Sequence, residues 1–103
     1  MKIIWQTIAK EGRHQVATYI RRKFGIKREK EFRQEVGQVI QLILQNPNIG
    51  PIDPLFVDRP EAYRYMIING LSKIVYRINN DTIHIVGFWD CRQEPTTQAA
   101  QIK

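Results

Sequence analysis

The chain has 103 residues, 16 Lys and Arg against 10 Asp and Glu, one Cys, and 43% apolar residues. That length holds a single domain that buries roughly two-thirds of its unfolded surface. One cysteine excludes a disulfide framework, no secretory h-region follows Lys2, and the longest apolar run, Ile85 to Trp89, is far too short to cross a bilayer, so a cytoplasmic domain is expected.

Taken in chain order, Lys2-Ile-Ile-Trp5 reads as a short strand. Thr7 is the expected N-cap of a first helix, with Glu11 near its positive end. Ile8, Gly12, Val16, Tyr19, Ile20 and Phe24 then follow helical spacing, and Gly25 suits the C′ position. A second helix is expected from about Lys27 to Gln45, with Phe32, Val36, Val39, Ile40 and Ile43 as its apolar stripe. Asn46-Pro47 stops it. A short link makes the two helices an antiparallel hairpin.

The entire charge excess of +6 lies in one segment of this hairpin. Residues 10–33 carry Lys10, Arg13, Arg21, Arg22, Lys23, Lys27, Arg28, Lys30 and Arg33 against Glu11, Glu29 and Glu31, and the rest of the chain is neutral. Such a field attracts a polyanion, either nucleic acid or an acidic protein; a solvated helix face is the plainer reading.

Residues 46–62, punctuated by Pro47, Gly50, Pro51, Pro54 and Pro60, form a long ordered loop. Three strands follow, Tyr63 to Ile68, Ser72 to Ile78 and Thr82 to Trp89, joined by turns at Asn69-Gly70 and Asn79-Asn80-Asp81. The fold class is therefore α+β, an N-terminal strand and a helical hairpin packed on an antiparallel sheet, in the order β-α-α-β-β-β. Residues 1–95 are expected to form the domain and 96–103 an irregular tail. Simple alternation puts Tyr63, Tyr65, Ile67, Ile74, Tyr76, Ile78, Ile83, Ile85 and Trp89 against the helices. The free face then carries Arg64, Lys73, Arg77, His84 and Asp90.

Four segments in register give the sequence a resemblance to the RelE/ParE superfamily, the toxins of bacterial type II toxin–antitoxin modules. Leu44-Gln-Asn-Pro47-Asn-Ile-Gly50-Pro51 looks like the turn after the second helix, and Lys73-Ile-Val-Tyr76-Arg77-Ile78 like the central strand. Thr82-Ile-His-Ile-Val86 and Phe88-Trp-Asp-Cys-Arg92-Gln-Glu-Pro95 resemble the last strand and terminal segment. The likeness implies a growth-arresting toxin with a short acidic antitoxin as partner and no cofactor or membrane.

The family contains two kinds of target. ParE-like members inhibit DNA gyrase, and RelE-like members cleave mRNA on the ribosome. For RNA cleavage, Arg77, Arg64 and Arg92 are the candidate phosphate or target contacts, with His84 to move protons and Asp90 to orient it or to act as a base. Ribonuclease members often carry a Tyr near the C-terminus, and no Tyr follows Arg77 here. That favours the ParE-like reading; the alternatives are a metal-independent endoribonuclease and a binding module that arrests nothing. Arg13, Arg21, Arg22, Lys23, Lys27, Arg28 and Lys30 are the expected docking residues for antitoxin or nucleic acid. The two histidines and one cysteine are scattered, which does not suggest a metal site. Cys91 reads as a small edge or buried thiol, and Trp89 as a core anchor.

Overall fold

The structure is a computed structural model that describes residues 1–90; residues 91–103, the last of the expected domain and its tail, lie outside the described residues. Strand β1 (Lys2–Trp5) leads into helix α1 (Thr7–Phe24), and α2 (Ile26–Gln45) follows after a single residue. A short 3-10 turn spans Pro54–Phe56, and the meander of β2 (Tyr63–Ile68), β3 (Ser72–Asn79) and β4 (Thr82–Asp90) completes the described residues. Gln6, not Thr7, occupies the N-cap of α1, and its side chain makes no capping bond. Gly25 ends α1 and starts α2; its φ of 95° lies in the region that glycine enters without a Cβ clash, which allows the one-residue turn.

The sheet order is β1-β4-β3-β2. The meander pairs antiparallel as expected, while β1 lies parallel to β4, with Ile3 opposite Ile83 and Trp5 opposite Ile85. The sheet is therefore mixed rather than purely antiparallel. Asn69 and Gly70 both have positive φ, and Leu71 N–H donates to the Ile68 carbonyl, the geometry that matches strand twist in a tight hairpin.

One core fills the space between sheet and helices. Ala9, Ala17 and Ile20 of α1 and Phe32, Val36 and Ile43 of α2 pack on Ile68, Ile74, Tyr76, Ile83, Ile85 and Phe88. Phe32 meets Phe88 edge-on at 5.9 Å, a favourable arrangement of aromatic quadrupoles. The small residues of α1 bring it close to the sheet. The expected stripe is shifted accordingly, because Ile8, Tyr19 and Phe24 remain exposed.

A second core lies on the other sheet face. Phe56 and Leu55 of the 3-10 turn cover Tyr63, Tyr65, Val75, Val86 and Trp89. Two face assignments made by alternation are thereby corrected. On β2, register places Met66 opposite Ile74 and Arg64 opposite Tyr76, so the even residues face the helices and Tyr63 and Tyr65 face the loop. On β4, Val75 pairs with Gly87 but Tyr76 with Ile85, so Val86 is a bulged extra residue. Beyond it the alternation inverts, sending Phe88 to the helices and Trp89 to the second core.

Tyr76 ties the turn after α2 to the sheet. Its fully buried phenol donates to the Pro47 carbonyl at 2.7 Å and accepts from the Gly50 N–H at 3.0 Å. Burial raises its pKa above the ordinary value, so the proton needed for donation stays in place. Tyr76→Phe leaves both backbone groups without this partner and should lower stability by about 2–3 kcal/mol, read as a shift in urea midpoint at constant m. An unchanged midpoint would mean that water satisfies both groups.

Candidate functional site

The loop divides the outer sheet face in two. Its covered half holds the second core. The open half is a row in which Ile4 of β1, His84 of β4 and Arg77 of β3 stand side by side by register, with Lys2 further along β1. Tyr63 of β2, opposite Arg77, marks the boundary, and its hydroxyl donates to Glu61 at 3.5 Å.

Arg77 is half-buried and makes no hydrogen bond or ion pair within the described residues. His84 is half-buried beside it. Burial and then the Arg77 charge lower the His84 pKa from its usual 6.5, which keeps the imidazole neutral at physiological pH. Its Nδ1 lies 3.3 Å from Gln6 Nε2. Gln6 carried no sequence signal, because the contact spans 78 positions and depends on β1 running parallel to β4.

Three other candidates are placed elsewhere. Arg64 sits on the helix-facing side of β2, where its guanidinium donates to the carbonyls of Gly50 at 2.7 Å and Asn48 at 3.2 Å. It fastens the turn after α2. Lys73 shares the Arg77 face, but its ammonium lies 2.7 Å from Asp53 Oδ2 and over the Tyr65 ring. Asp90 pairs with Ser72 beyond the bulge, on the helix-facing side and six residues from His84. At strand rise that is roughly 20 Å, too far to orient the imidazole. Arg92 and Cys91 lie outside the described residues.

The basic hairpin separates into two parts. Arg13 stacks over the Trp5 ring at 4.3 Å, and burial followed by the Arg33 charge lowers its pKa. From Arg21 to Glu31 no residue is buried, so this end of the hairpin projects beyond the core. Arg28 pairs with Glu35 at 3.0 Å and Glu31 at 3.7 Å, while Arg21 and Arg33 share Glu29. Lys23 lies 5.8 Å from the Tyr19 ring, and Arg22, Lys27 and Lys30 have no ion-pair partner among the described residues. Phe24 and Ile26, 61% and 53% exposed, flank Gly25 at the tip. Apolar side chains ringed by cations suit a partner that offers both carboxylates and an apolar pocket.

Among the described residues no cluster of three His, Cys, Asp or Glu could hold a metal ion, and no helix is long and apolar enough to cross a membrane.

No family model and no curated protein sequence matches the chain. Comparison of folds does find a relative, a chain in a solved structure described as the chromosomal ParDE TA system from P. aeruginosa. The two superpose with a TM-score of 0.70 and 15% identity, over 87% of this chain and 95% of that one. The fold is thus the ParE-like α+β arrangement that the four sequence segments suggested.

Proposed function

We propose that the chain is the growth-arresting toxin of a type II toxin–antitoxin pair, acting in the ParE manner on DNA gyrase. The open sheet face around Arg77 is the surface that meets the target. The projecting basic end of the hairpin docks a short acidic antitoxin.

The observation that carries the choice of target is the environment of His84. Cleaving RNA requires one group to take the 2′-hydroxyl proton and another to protonate the leaving oxygen. On the open face His84 stands alone for that task. Its Nδ1 is engaged by Gln6, its charged neighbour is Arg77, and Asp90 is turned away. A cationic, acid-poor face suits tight binding better than proton transfer. The fold likeness to the ParDE structure supports the toxin class, and the choice between targets rests on the surroundings of His84.

Induced expression without an antitoxin should arrest bacterial growth, and the purified chain should block supercoiling by gyrase. Arg77→Ala should require about thirtyfold more protein for the same block, the loss typical of a central arginine anchor. Cleaved mRNA in a ribosome-dependent translation assay would instead select the endoribonuclease reading. Unaffected growth at full expression would leave a binding module.

A further inference from the structure

Helix α2 buries one face and leaves the opposite one bare. Phe32, Val36 and Ile43 enter the core, whereas Gln34, Gly37, Gln38, Gln41, Leu42 and Gln45 all stand exposed at the three-and-four spacing of the other side. We propose that this outer face is a self-association surface, on which a second copy of the chain seats its own α2 antiparallel across a two-fold axis lying between Gln38 and Gln41.

Charge selects the occupant. Every charged residue of α2 lies between Lys27 and Glu35, and none occurs from Val36 to Ile52, the longest uncharged stretch of the sequence. An acidic segment or a nucleic-acid backbone gains nothing from a surface without cations, and both are drawn instead to the tip of the hairpin. Two copies of a chain that carries +6 repel each other wherever their basic segments meet. On the uncharged half of α2 they can approach without that repulsion, and the antiparallel arrangement sends the two basic tips to opposite ends. Glutamine amides suit such a contact, because each both donates and accepts and identical faces can satisfy one another.

Gly37 supplies the shape. Glycine inside a helix is disfavoured relative to alanine. Gly12 has a reason within the chain, since a Cβ there would strike the Phe88 carbonyl, but a Cβ on Gly37 would meet nothing within 4 Å. Gly37 instead floors a shallow open hollow lined by Gln34, Gln38, Gln41 and Leu42. With no Cβ in the way, a second helix axis can approach to the short end of the usual range of roughly 8–10 Å. In the antiparallel register Leu42 of one copy, 43% exposed in the single chain, falls opposite Gly37 of the other and fills the hollow, twice by symmetry. Gln38 then faces Gln41, and Gln34 faces Gln45.

The face runs about 17 Å along one helix. It buries less than the roughly 800 Å² per partner of a standard interface, so the dimer is weak and depends on concentration. The contact uses neither the open sheet face nor the basic tip, and it stands or falls independently of the proposed target and antitoxin.

Sedimentation equilibrium of the full chain should show a mass that rises from 12.2 kDa towards twice that value between about 10 and 500 μM. Raising sodium chloride from about 50 to 300 mM should tighten the dimer, because salt screens repulsion between the two basic segments; a contact made by the cations themselves would weaken instead. Gly37→Leu fills the hollow and should raise the dissociation constant about tenfold or more, while the melting temperature of the dilute monomer does not fall, since the added side chain enters open space. Gln38→Glu and Gln41→Lys should each weaken self-association, and an equimolar mixture of the two variants should dimerise better than either alone, because the introduced charges are opposite and face each other. A constant mass of 12.2 kDa would overturn the proposal and leave the face to a protein of another sequence. A dimer indifferent to Gly37→Leu, or a mixture no better than its components, would overturn it as well.

Discussion

Lys73→Met should destabilise the domain by about 3–5 kcal/mol, more than any other single change at the described ion pairs. Asp53 is only 1% exposed. One of its oxygens accepts the Leu55 N–H at 3.0 Å, capping the 3-10 turn, and the other lies 2.7 Å from the Lys73 ammonium. Removing the ammonium leaves a carboxylate among apolar groups with half its shell missing. The surface pairs of the hairpin lack this sensitivity, because water replaces either partner there. Adding Asp53→Asn to Lys73→Met should recover a large part of the loss, since the uncompensated charge disappears with it. Urea denaturation of the two single variants and the double variant measures the coupling. Additive losses would show that the pair contributes no more than its packing.

Gly12→Ala carries the second large effect, and its sign is the informative part. In an open helix the change stabilises by about 1 kcal/mol, because alanine restricts the unfolded chain. Here Gly12 faces β4, and a Cβ at that position would penetrate the carbonyl oxygen of Phe88. The obstacle is backbone on a central strand, so helix or sheet must shift as a unit. A net loss of about 2–3 kcal/mol is expected, which lowers Tm by roughly 10–20 °C in a domain of this size. A raised Tm would mean that α1 has room to move. The approach it probes also lets Ala9 and Ala17 vanish completely into the core.

The element order was legible because each segment declares itself locally. Phe32, Val36 and Ile43 recur at helical spacing, and all three are buried as that spacing requires. Asn69-Gly70 marked its hairpin through the positive φ that both residues adopt. Face assignment was less legible, and for a physical reason. Both sheet faces carry apolar residues, so alternation on β2 gives two comparable choices, and only the Met66–Ile74 register decides between them. The bulge at Val86 has no signature in single-sequence alternation, yet it turns Trp89 and Asp90 over.

The candidate site divides along the same line. Arg77 and His84 lie before the bulge and stand where alternation put them. Arg64 was displaced by the register of β2, and Lys73 was claimed by Asp53, a loop residue whose burial no local pattern announces. Gln6 escaped notice because nothing in the neighbourhood of Gln6 points 78 residues downstream.

That separation also dictates when the open face comes into being. Among the described residues, strand β1 pairs with β4 alone, and every other described helix and strand lies between the two in the sequence. The helical hairpin rests on local contacts and folds fast, whereas closing a loop of this length carries an entropic cost that is recovered only when β4 docks. Ile4, His84 and Arg77 therefore share a surface only after residues 82–90 have been made and paired. A nascent or truncated chain can hold a hairpin but not this face. Under the proposed function, the order of synthesis then sets the earliest moment of harm, and an antitoxin that engages the hairpin has a surface to grip before that moment arrives.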